Sequence, residues 1–175
     1  SILDGATKIA VAAKKAKALG MPALAITDHG NMYGAVNFFD ACEKEGIKAI
    51  IGTEFYVCDD LTVKSGKAKL NHLVLLDLKT LEAHHEGLIC LSACLAGDIP
   101  QAILNRNFDE AERLVLWFKN LFGEDFYLEM QNHMLEEQLE VNKYLRTYAK
   151  KYGIKLVATN DVHYLERSDA ESQDV

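Results

Sequence analysis

One unit recurs three times along the chain, and it leaves few folds open. A helix-forming stretch ends at glycine, a short apolar run follows, and the run closes on threonine together with side chains that bind metals. The instances are Gly20 to Gly30 (GMPALAITDHG), Gly46 to Glu54 (GIKAIIGTE) and Gly153 to His163 (GIKLVATNDVH). Helices alternating with short apolar strands imply an α/β fold with a mostly parallel sheet. Strand ends that carry His, Asp and Glu are where an α/β barrel keeps its active site. The unit therefore points to a metal site with nitrogen and oxygen ligands.

The rest of the chain extends the alternation. Residues 7–19 predict a helix with Ile9, Ala12, Ala13, Ala16 and Leu19 on its inner face, stopped by Gly20 and Pro22. Ala23–Ile26 predicts a strand, Ala35–Glu45 a helix ended by Gly46, and Lys48–Val57 a strand. Residues 58–70 are polar and predict a loop, followed by strands at His72–Leu76 and Leu88–Leu91. Asn107 is placed to cap a helix over Phe108–Phe122, with Asp109 and Glu110 in its first turn and Gly123 at its end. A strand at Phe126–Met130 leads to a helix over Glu136–Tyr152, with Leu139, Leu145 and Tyr148 inward, and then to a strand at Leu156–Thr159. No glycine-rich phosphate fingerprint follows any of these strands, so a closed barrel fits better than an open doubly wound sheet. One junction is tight. Asp77–Gly87 barely supplies the roughly dozen residues that a parallel crossover needs, which points to a segment absent there.

Length and charge set further limits. The 175 residues fit one domain with a core of its own. With 26 acidic and 19 basic residues the net charge is −7, which argues against a broad phosphate-binding face. Any DNA contact is then local, or made by residues outside this chain. No apolar run approaches the ~20 residues that span a membrane, and the first residues lack the pattern of a signal peptide. The four cysteines (Cys42, Cys58, Cys90, Cys94) form no CxxC pair. A reduced, cytoplasmic protein with no membrane partner is expected.

Several residues could carry chemistry. Asp28 and His29 follow the first strand, although Asp28 also suits a helix N-cap. Glu54 closes the second strand, as a ligand or as an exposed rim charge. Asp161 and His163 lie two apart, and in an extended segment both would project to one side. Thr159 and Asn160 are placed to hydrogen-bond such ligands. Cys94 closes another strand, where a buried inert thiol is the ordinary alternative. His72 opens its strand, so the strand-end argument does not cover it. His133 is a candidate rim residue, and His84 and His85 read as a solvated pair. Imidazole, carboxylate and thiolate donors suit zinc, manganese or iron. Two or three such ions activate water and neutralise charge at a phosphoryl centre, so phosphoester hydrolysis is the reaction class that fits best.

The segments SILDGA, MPALAITDHGNMYGAVNFFDACEKEGIKAIIGTEFYV, NHLVLL, EGLICLSACLAGDIPQAI and LVATNDVHYL resemble the PHP (polymerase and histidinol phosphatase) domain at the N-terminus of bacterial DNA polymerase III alpha subunits. The resemblance spans nearly the whole chain, in the family's order. It implies a seven-stranded β/α barrel with a metal cluster at one end. The ligands it implies are Asp4, His29, Glu54, His72, Cys94, Asp161 and His163. It also implies a first strand with a His-x-His pair ahead of Ser1, and a longer insert after the HLVLL strand. The implied setting is a replicative polymerase that acts on DNA, works with a sliding clamp and a proofreading subunit or activity, and continues beyond this domain. Two other readings stay open beside DNA-directed synthesis with a metal-cluster phosphodiesterase: a stand-alone metal-dependent phosphatase, and a non-catalytic structural domain.

Overall fold

A computed structural model describes residues 5–58 and 75–173. Most of the expected loop at 58–70, the first residues of the strand expected from His72, and the candidate ligands Asp4 and His72 lie outside the described residues. The described part is a mixed α/β structure in two compact units. One holds residues 5–56, 75 and 162–173; the other holds 57–58 and 76–161.

The first unit opens with α1 (Ile9–Ala18), β1 (Ala23–His29), α2 (Ala35–Glu45) and β2 (Lys48–Glu54). β1 and β2 run parallel, in register from Ala23 against Lys48 to His29 against Glu54. Ala13 and Ala16 of α1 and Phe38 and Cys42 of α2 form a core with Ile47, all nearly sealed from water. Small alanines let α1 approach closely. Leu19, expected inward, is 62% exposed because α1 ends before it. Gly46 ends α2 at φ 67° and ψ 39°, a left-handed cap that costs glycine nothing. The short α7 (Ala170–Gln173) also belongs to this unit.

Beyond it, β3 (Tyr56–Cys58) pairs with β4 (Leu75–Asp77). The second unit continues through α3 (Leu78–His84), β5 (Cys90–Leu91), α4 (Asp98–Leu104), α5 (Phe108–Phe122), β6 (Phe126–Met130), α6 (Glu136–Tyr152) and β7 (Lys155–Ala158). β5, β6 and β7 form a parallel sheet in that order. Its core joins Ile99 and Ile103 of α4, Val115 of α5, Phe126 and Leu128 of β6, and Leu145 of α6, each 0–1% exposed. Phe118 stacks on Phe126 with ring centroids 5.6 Å apart.

Several expected boundaries move. The first strand runs on to His29, so Asp28 and His29 are strand residues. The expected strand at Lys48–Val57 breaks at Phe55, and the one at Leu88–Leu91 shrinks to Cys90–Leu91. Helices α3 and α4 were not expected. Among the described residues β4 and β5 lie in different sheets, so Asp77–Gly87 does not join two paired strands. Among the described residues the strands pair as three separate groups, and no pairing joins these into the closed barrel that was expected.

Candidate metal centre

The register of β1 and β2 brings two expected ligands together. Parallel partners on neighbouring strands project to one face, and His29 is the partner of Glu54. Their side chains are 13% and 21% exposed, with Nδ1 of His29 3.3 Å from Oε2 of Glu54. A nitrogen and an oxygen donor, both largely withdrawn from water, match the ligand types of zinc, manganese and iron sites.

The backbone around this pair is tightly held. Thr53 Oγ1 donates to the carbonyls of Asp28 (3.0 Å) and Asn31 (3.1 Å). Asn31 Nδ2 donates to the His29 carbonyl at 2.7 Å, and its Oδ1 accepts the Tyr33 N–H at 3.0 Å. The Gly30 N–H reaches the Glu54 carbonyl at 3.1 Å. Asp28, 4% exposed, accepts the Gly34 N–H at 3.0 Å. Gly34, not Asp28, is the N-cap of α2; Asp28 lies in β1 and holds that cap residue through its N–H, so the alternative of Asp28 as a helix N-cap is corrected.

The other expected residues are placed less simply. His163 follows β7 in sequence and belongs to the first unit; its carbonyl accepts Thr7 Oγ1 at 3.0 Å. Asp161 belongs to the second unit and has φ 47°. The segment is therefore not extended there, and the alternation argument that put Asp161 and His163 on one side does not hold. Thr159 Oγ1 is committed to Oε1 of Glu129, and the Asn160 carbonyl to the His133 imidazole. Cys94 sits in the turn after β5, where Gly97 N–H bonds the Cys94 carbonyl at 3.0 Å. It lines a small pocket of mixed character, with Glu129, Gln131 and Gln138 beside Leu95, Pro100 and Val141. Burial pushes the Cys90 thiol up to about 12. Among the described residues no group of three or more His, Cys, Asp and Glu forms that could hold a metal ion. The His29–Glu54 pair offers two candidate donors, fewer than such a group needs.

Sequence reasoning passed over Glu129. Its backbone N–H donates to Ser92 Oγ at 2.8 Å and its Oε1 accepts Gln131 Nε2 at 3.1 Å. The signal was a carboxylate inside the otherwise apolar strand FYLEM. His85 was misjudged as solvated. It is partly buried, edge-on to Phe122 at 5.8 Å, with Nδ1 2.8 Å from the Glu82 carbonyl.

Comparison with known proteins agrees with the motifs. The model of the PHP domain family matches residues 1–80 and 75–133, two stretches that overlap at 75–80, where the tight junction begins. The DNA polymerase III subunit alpha of Borreliella burgdorferi is 41% identical over 207 aligned positions, covering 100% of this chain and 18% of the relative. That of Treponema pallidum is 40% identical, covering 100% and 18%. That of Thermus aquaticus is 38% identical, covering 100% and 17%. The chain thus spans under a fifth of the length of these relatives. With the family match running through most of its length, the chain belongs to the PHP domain family.

Proposed function

We propose that this chain is the PHP domain of a replicative DNA polymerase of the DNA polymerase III alpha type, and that it binds divalent metal ions for phosphodiester hydrolysis at a DNA 3′ end. The polymerase context is supported by relatives of that name aligned along the whole chain. DNA synthesis itself, and engagement of a sliding clamp and a proofreading subunit, fall to the parts of the subunit beyond this domain. In this reading the strands complete a β/α barrel and the ligand set is Asp4, His29, Glu54, His72, Cys94, Asp161 and His163.

The observation that carries the metal reading is the pairing of His29 with Glu54 at 3.3 Å. Zinc, manganese or iron, two or three ions, would supply activated water and offset charge at the phosphorus. The chain's own part is to hold its donors still. Thr53 and Asn31 fix the main chain on either side of His29, and β-pairing fixes Glu54 against it. The acidic surface suits a domain that sits beside DNA and meets it only at an end.

The test is exonuclease turnover of a primer 3′ end by the full-length protein after manganese or zinc loading, with polymerase activity monitored in parallel. Glu54→Gln is expected to lower hydrolysis roughly 100-fold, the scale of losing a group that stabilises transition-state charge, and to leave nucleotide incorporation in place. Equal hydrolysis by the wild type and the variant would contradict the assignment. Absence of hydrolysis in both would leave a structural domain.

A further inference from the structure

Outside the proposed ligand set, the second unit contains a run of hydrogen bonds that starts on α6 and ends one residue before Asp161. Gln138, 4% exposed, accepts the His133 backbone N–H on Oε1 at 2.7 Å and donates from Nε2 to Gln131 Oε1 at 3.3 Å. Asn142, also buried, donates to the Gln131 carbonyl at 2.7 Å. Together they anchor the loop that leaves β6. From this loop the His133 imidazole reaches the loop that leaves the neighbouring strand β7, with Nε2 2.8 Å from the Asn160 carbonyl oxygen. A carbonyl oxygen only accepts, so Nε2 carries the proton.

That carbonyl belongs to the peptide plane that ends at the nitrogen of Asp161. The rotation of this plane about the N–Cα bond of Asp161 is its φ, which stands at 47°. Left-handed backbone is uncommon for a residue with a side chain, though Asp adopts it more readily than most, and it persists where surrounding contacts hold it. We propose that His133 is a positioning residue: its bond to the Asn160 carbonyl sets the Asp161 backbone and so aims the Asp161 carboxylate at a divalent cation. This inference rests on the reading of Asp161 as a ligand. The imidazole touches no reacting atom; it acts through the Asn160–Asp161 peptide, as outer partners commonly orient metal ligands.

The experiment measures manganese affinity of the full-length protein by calorimetry for the wild type, His133→Ala, His133→Gln, Asp161→Asn and the double variant His133→Ala/Asp161→Asn. Asn tolerates left-handed backbone as Asp does, so Asp161→Asn removes charge and keeps the turn. His133→Ala is expected to weaken binding roughly tenfold, within the range seen for outer-partner losses. His133→Gln, which restores an N–H donor, is expected to recover most of that loss. In the Asp161→Asn background His133→Ala is expected to add nothing. Wild-type affinity in His133→Ala alongside weakened binding in Asp161→Asn would overturn the positioning role alone. Wild-type affinity in Asp161→Asn would overturn Asp161 as a ligand, and this inference with it. An equal His133→Ala penalty with and without the Asp161 carboxylate, or no recovery by Gln, would show general loosening of the fold and would also overturn it.

Discussion

Gly34 shows how much one residue can be asked to do beside a strand end that carries candidate ligands. A Cβ there would lie 2.7 Å from Ile26 Cδ1 and 2.8 Å from Asp28 Oδ2. The same residue gives its N–H to Asp28. Gly34→Ala therefore forces Ile26 or the Asp28 carboxylate to move, and Asp28 adjoins His29 in β1. Overpacking of this kind is expected to cost about 1–3 kcal/mol, read as a lower urea midpoint with an unchanged slope. A stability equal to the wild type would mean that the approach of α2 to β1 is looser than described. That His29 and Glu54 would lie together was legible from the sequence, because an apolar run that ends in a ligand type is a local signal. The backbone of Asp161 was not, since a left-handed φ at a non-glycine position leaves no mark in composition. Glu129 and Thr159 were not paired in advance, because their contact spans 30 residues and depends on which strands are neighbours.

Whole elements were read best where caps and periodicity agreed. The helix α5 lies over the residues expected for it, and Asn107 Oδ1 accepts the Glu110 N–H at 3.3 Å at its start. Asn107→Ala is expected to cost about 1 kcal/mol, measured by chemical denaturation; a change near zero would show that water serves that N–H equally well. In α6 the extent was right and the phase partly wrong. Leu145 and Tyr148 are buried as expected, but Leu139 is 55% exposed while Gln138 and Asn142 point inward. Hydrophobic periodicity cannot foresee two amides turned to the core, which is tolerable here because they bond the loop after β6. Helix α4 was hidden by Pro100, which reads as a breaker yet stands in the first turn, where a missing N–H costs little. Helix α3, seven residues long, is too short for its periodicity to stand out.

For the molecule as a whole, the mixed α/β class and the family followed from strands, helices and motifs taken in order. Closure of the strands into one barrel did not, because which strands become neighbours is set by contacts far apart in sequence. The net charge of −7 and the acidic donors of the proposed site fit together, since cations neutralise carboxylates that would otherwise repel a phosphodiester. The measurement that bears hardest on this reading is metal content after equilibrium dialysis of the full-length protein against manganese or zinc, the wild type beside Glu54→Gln. Bound metal in the wild type, with affinity reduced at least about tenfold in the variant, is the expected result. Equal metal content in the two proteins, or none in either, would contradict it.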